Sequence, residues 1–100
     1  MEETYKIIDD LIQDLLVPAR TEKRIDNNTL EKFCSILTEL EIEMKGKEMI
    51  PRKIAGILYF IYVSLSSEIT QYNYNDELFM AVARIEDMLD KILWDSPFSN

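Results

Sequence analysis

Residues 29–45, TLEKFCSILTELEIEMK, decide the fold class of this chain. Large apolar side chains recur there at intervals of three and four residues, at Leu30, Phe33, Leu37, Leu40 and Met44. This spacing aligns them along one side of an α-helix, while the glutamates fall on the other side. The segment therefore predicts an amphipathic helix that buries its apolar side against other helices.

Three more segments predict helices, over residues 2–16, 51–67 and 76–94. In the first helix, Pro18 is expected to end the element, because proline lacks the backbone N–H that a helix interior needs. A polar connection of about twelve residues, 17–28, is expected to follow, with Ile25 pinned to the core. The third helix begins at Pro51, and its middle, IAGILYFIYV, is apolar on every side, which is typical of a central helix. Residues 95–100 are expected to form a flexible tail.

The 100 residues allow one domain, and Gly (2) and Pro (3) are too scarce for the many turns of an all-β fold. We therefore expect a single all-α domain over residues 1–100. Its default architecture is an antiparallel up-down four-helix bundle in which consecutive helices pack side by side. Gly46 is the natural residue to follow the second helix.

Composition excludes several classes of function. The net charge of -8 argues against binding to a nucleic-acid backbone. Histidine is absent and Gly is rare, so no His-containing metal site, nucleotide loop or activated nucleophile is expected. We expect neither enzymatic activity nor a cofactor. The longest apolar stretch, residues 54–63, is about half the roughly 20 residues that span a bilayer. A single cysteine, Cys34, and no secretory signal favour the cytoplasm.

Two groups of residues are candidates for contact with a partner. The first is basic and gathers around KGKEMIPRK, residues 45–53, in an otherwise acidic chain; it includes Lys47, Arg52 and Lys53. The second is aromatic and consists of Tyr72, Tyr74, Trp94 and Phe98. The alternative interpretation is structural: the bases compensate a helix dipole and the aromatic side chains close the ends of the bundle.

A third candidate surface lies on the third helix. Tyr59 and Val63 exceed what one face of a bundle helix needs to bury, and with Phe60 they form a candidate homodimer patch. Coverage of these side chains by another part of the chain is the alternative.

The order of parts resembles the immunity proteins of class IIa (pediocin-like) bacteriocins, in particular the enterocin A immunity group. The resemblance covers most of the chain. It is carried by an acidic first helix, IIDDLIQDLL; the stripe LEKFCSILTELEIEM; a proline-started third helix, IPRKIAGILYFIYVSLSSEIT; and a tyrosine-containing connection, QYNYNDEL.

The resemblance implies a cytosolic, non-enzymatic four-helix bundle that protects a cell from bacteriocin. Such proteins are understood to recognise the bacteriocin bound to its receptor, the membrane part of the mannose phosphotransferase permease. They do so from the cytoplasmic side, which implies transient contact at the inner face of the membrane. In the family the C-terminal half carries specificity, and here it contains Tyr72, Tyr74, Trp94 and Phe98.

Another class of function stays open at this point. An acidic inhibitor of a basic toxin, resembling an antitoxin, would use the carboxylates of Asp9, Asp10, Asp14 and residues 39–43. A small helical adaptor or homodimer is a further alternative.

Overall fold

The computed structural model describes residues 2–69 and 76–94, which contain four α-helices and no β-strand. The helices are α1 (Glu2–Glu22), α2 (Asn27–Met44), α3 (Arg52–Ser66) and α4 (Asp76–Leu93). The all-α fold class is thus confirmed. The bounds of α2, α3 and α4 lie within two residues of those predicted, which is the usual uncertainty of a helix end. The predicted tail, 95–100, lies outside the described residues.

The end predicted for the first helix is wrong, because α1 continues through Pro18 to Glu22. The reason is burial: Leu15 and Leu16 precede the proline, Ala19 follows it, and all three are buried. Packing of this last turn compensates for the hydrogen bond that Pro18 cannot donate. The expected twelve-residue connection is therefore reduced to residues 23–26.

The short connection between α1 and α2 is tightly held. Lys23 adopts a left-handed backbone conformation with φ of 54°, and its N–H donates to the Ala19 carbonyl at 3.1 Å. Ile25 is buried in the core, as predicted. Asp26 precedes α2, and its carboxylate accepts a hydrogen bond of 2.7 Å from the Thr29 hydroxyl.

The second connection, residues 45–51, contains a glycine that the backbone requires. Gly46 has φ of +78°, which confirms its predicted place after the second helix. Pro51 then precedes α3, and its carbonyl accepts the backbone N–H groups of Ile54 and Ala55.

The core is formed by apolar side chains from all four helices. All five residues of the stripe in α2 are buried, as predicted, and so is one side of α3. α2 packs closely against α1 and α4, and α3 packs closely against the same two helices. Each helix therefore has two close neighbours around a shared interior.

The expectation that consecutive helices pack side by side holds for α1 with α2 and for α3 with α4, but it is wrong for α2 with α3. Within the described ranges, α2 and α3 follow one another in sequence but are not a closely packed pair. The physical reason lies in the connection: seven residues reach up to roughly 23 Å, more than the diagonal between helices packed 8–10 Å apart. Chain connectivity thus permits α3 to lie across the bundle from α2.

Ion pairs join segments that are far apart in sequence. Lys23 Nζ lies 2.6 Å from Glu68 Oε1, linking the end of α1 to the residues that follow α3. Lys53 Nζ lies 3.9 Å from Glu2 Oε2, linking the first turns of the same two helices.

Over the residues that the structure describes, none of the helices has the length and apolar content to cross a membrane.

Candidate functional site

An open groove between α3 and α4 combines exposed aromatic side chains with carboxylates. We call it the Trp94 groove, and it is lined by Tyr59, Tyr62, Glu86, Leu89, Asp90, Leu93 and Trp94. Trp94 and Tyr59 each leave 66% of their surface exposed. Two large aromatic side chains held in water at one groove are typical of a surface that binds another molecule.

The periodicity of α4 places its contribution to the groove. Glu86, Leu89, Asp90 and Leu93 are spaced by three and four residues, so they share one side of the helix. Leu89 is buried and belongs to the core, whereas Glu86, Asp90 and Leu93 are exposed at its edge. The groove therefore has an apolar floor that continues into the core and an acidic rim.

Trp94 follows the last residue of α4 but remains attached to the helix. Its backbone N–H donates a hydrogen bond of 3.0 Å to the carbonyl oxygen of Asp90. This bond continues the helical pattern by one residue and sets the position from which the indole projects. The structure thus answers the question that the sequence left open for Trp94: its side chain lies largely in water.

The electrostatic character of the groove is negative. Among the described residues, Glu86 and Asp90 line it and no basic residue does, while nearby Lys91 pairs with Asp87 at 3.7 Å. Partial burial and the charge and hydrogen bonding of Glu86 raise the pKa of Tyr62, so its hydroxyl stays protonated at neutral pH. The groove therefore offers two carboxylates and aromatic faces to a cationic group.

The basic candidates lie elsewhere on the surface. Lys47, Arg52 and Lys53 are all exposed, and none of them lines the Trp94 groove. Lys53 Nζ lies 4.6 Å from the centre of the Tyr5 ring, a cation–π contact between α3 and α1. Trp94 and the basic cluster are consequently separate candidate surfaces. The other aromatic candidates, Tyr72, Tyr74 and Phe98, lie outside the described residues.

The third candidate surface, on α3, is exposed but divided. Tyr59, Phe60 and Val63 leave 66%, 49% and 41% of their surfaces accessible. Tyr59 lines the Trp94 groove, whereas Phe60 lines a separate depression between α1 and α3 that also contains Lys53. Tyr59 and Phe60 therefore belong to two different surfaces.

Groups with chemical reactivity are sparse among the described residues. Burial raises the pKa of the Cys34 thiol, which disfavours the nucleophilic thiolate. Residues 2–69 and 76–94 contain no group of three or more His, Cys, Asp or Glu side chains placed to hold a metal ion. The arrangement of the Trp94 groove suits binding through apolar contact and charge.

Sequence reasoning identified Trp94 and Tyr59 but missed the carboxylates between them. Glu86 and Asp90 could not be distinguished by residue type, because the chain contains many acidic residues and most of them face solvent. The available signal was their position in α4. Each directly follows a residue of the buried stripe of this helix, and a tryptophan stands where the helix ends.

Comparison with known proteins gives no assignment: no protein-family model, curated protein or solved structure matches this chain.

Proposed function

We propose that this chain is an immunity protein that protects a cell from a class IIa bacteriocin. The observation that carries the proposal is the exposed Trp94 beside the exposed Tyr59, in the C-terminal half of a helical protein. The resemblance of the sequence to the enterocin A immunity group directs attention to that half for recognition. The protein would act in the cytoplasm, without catalysis, at the inner face of the membrane.

The finer architecture that we propose is an antiparallel up-down bundle. It is supported by the pairing of helix ends, Glu2 with Lys53 and Lys23 with Glu68, which is what α1 and α3 running in the same direction would give. Residues from the first turns of α2 and α4, Asn27 with Glu77 and Met80, line one depression, which supports a shared direction for that pair too. The short connection 23–26 favours an antiparallel arrangement of α1 and α2.

In the proposed mechanism the bundle prefers one state of the receptor. It binds the receptor–bacteriocin complex more tightly than the receptor alone and thereby holds the complex in a non-conducting state. The bundle can change the equilibrium between the receptor states by no more than the difference between its free energies of binding to them. A hundredfold preference for one state corresponds to about 2.7 kcal/mol. A buried tryptophan contact is worth about 2 kcal/mol or more in many interfaces, so Trp94 alone is significant on this scale.

Protection of a living cell tests this function. The chain is expressed in a bacteriocin-sensitive strain, and the inhibitory concentration is measured for a panel of class IIa peptides. We expect the inhibitory concentration of at least one peptide to rise. Unchanged killing by every peptide, with the protein shown to be present and folded, would count against the proposal.

A variant pair locates the protective surface. Trp94→Ala is expected to lower protection about 30-fold, in line with a loss of about 2 kcal/mol of binding. Ile42→Ala is the matched control, because Ile42 is also large, apolar and exposed, but lies on α2. Circular dichroism and thermal unfolding should show both variants folded. Equal loss of protection in the two variants would argue against a specific role for Trp94.

A further inference from the structure

We propose that the Trp94 groove binds a basic, amphipathic helix of a partner protein, with its cationic side chains on Glu86 and Asp90. This inference rests on the proposed function in one respect, because both use the same surface. It adds the chemical character of the partner.

The first argument is charge complementarity. Glu86 and Asp90 are both exposed, and neither forms an ion pair with a basic side chain within the part of the chain that the structure describes. Neighbouring Asp87, in contrast, is paired with Lys91. The two bases of α4, Arg84 and Lys91, are paired with Glu31 and Asp87, so they do not offset the negative rim. A partner with positive charge is steered to this groove and gains ion pairs on arrival.

The second argument is spacing. Glu86 and Asp90 are four residues apart on α4, a rise of about 6 Å along the helix axis. Basic residues at positions i and i+4 of a second helix repeat the same distance, so a helix lying along α4 meets both carboxylates at once.

The third argument is the apolar content between and beyond the carboxylates. Tyr62 and Leu93 border the groove and Leu89 forms part of its floor, which suits the apolar side of an amphipathic helix. The aromatic faces of Tyr59 and Trp94 add favourable contact with the stems and charges of lysine or arginine. Apolar and ionic features together select an amphipathic segment over a merely basic one.

Trp94 makes the test direct, because it is the single tryptophan of the chain. The purified full-length protein is titrated with a 14-residue helical peptide of leucine and lysine that has lysines at i and i+4. Tryptophan fluorescence is expected to shift to shorter wavelength and to saturate, as the indole leaves water. A peptide of the same pattern with glutamate for lysine is expected to give no saturable shift.

Two double variants separate the groove from general attraction to an acidic protein. Glu86→Gln with Asp90→Asn is expected to weaken binding of the lysine peptide at least tenfold. Glu39→Gln with Glu43→Gln removes the same charge from an exposed i,i+4 pair on α2, and its affinity is expected to stay within twofold of the unmodified protein. Equal weakening by both pairs, equal binding of the glutamate peptide, or no saturable shift would overturn the inference.

The titration contains no bacteriocin and no receptor. Its failure therefore contradicts the proposed partner chemistry alone, whereas failure of the protection assay contradicts the proposed function.

Discussion

Replacement of Pro18 by alanine should stabilise this protein. Pro18 lies inside α1, where it cannot donate a hydrogen bond to the carbonyl of Asp14 and its ring crowds that carbonyl. A proline in a helix interior costs about 3 kcal/mol relative to alanine. Alanine also gives the unfolded chain more conformational freedom than proline does, which stabilises the unfolded state by about 1 kcal/mol. The expected net gain is about 2 kcal/mol in the free energy of unfolding.

The assay is denaturant unfolding followed by circular dichroism, with thermal unfolding as a second measure. A gain of about 2 kcal/mol corresponds to a rise in Tm of about 10 °C for a domain of this size. Val17→Ala is the matched control, since Val17 is the exposed neighbour in the same helix, and it should change stability by about 0.5 kcal/mol or less. Unchanged or reduced stability of Pro18→Ala would refute the reasoning, because the half-buried ring would then contribute more than the missing hydrogen bond costs.

Two further predictions concern the core and a surface ion pair. Leu58→Ala should lower the free energy of unfolding by about 2–5 kcal/mol in urea titration, because Leu58 is fully buried in α3; a loss below about 1 kcal/mol would contradict its central position. Hydrogen bonds from Arg84 lower the pKa of Glu31 in the folded protein. The stabilisation that this ion pair provides is therefore present near neutral pH and is lost as the pH falls through the folded-state pKa of Glu31. The stability difference between the unmodified protein and Glu31→Gln should therefore shrink between pH 7 and pH 3, and a pH-independent difference would exclude the ion pair as its source.

Local pattern determined most of the helical structure. The spacing of Leu30, Phe33 and Leu37 predicted both the presence of α2 and its buried side, because an amphipathic helix has few ways to hide such a stripe. Gly46 predicted where α2 ends, because a left-handed backbone favours glycine on steric grounds alone. These features depend on residues within a few positions of each other, which a single sequence displays.

The course of α1 beyond Pro18 depended on distant residues. A local rule predicts termination there, but burial of Ala19 and the bond between Lys23 and Glu68 hold one more turn in place. The continuation of the stripe from Leu15 to Ala19, four residues later, was the available signal. How far burial stabilises this last turn depends on the core that surrounds it, which a single sequence does not display.

For the candidate site too, the sequence indicated some features and only the tertiary structure revealed the others. The sequence by itself determined an all-helical, acidic chain with surplus aromatic residues, Tyr59 and Trp94 among them, because composition and periodicity are local properties. Only the tertiary structure decided that these two residues share a groove with Glu86 and Asp90. The physical reason is that α3 and α4 must pack against each other before their edges can form one surface, and the choice of neighbours is made by the whole core.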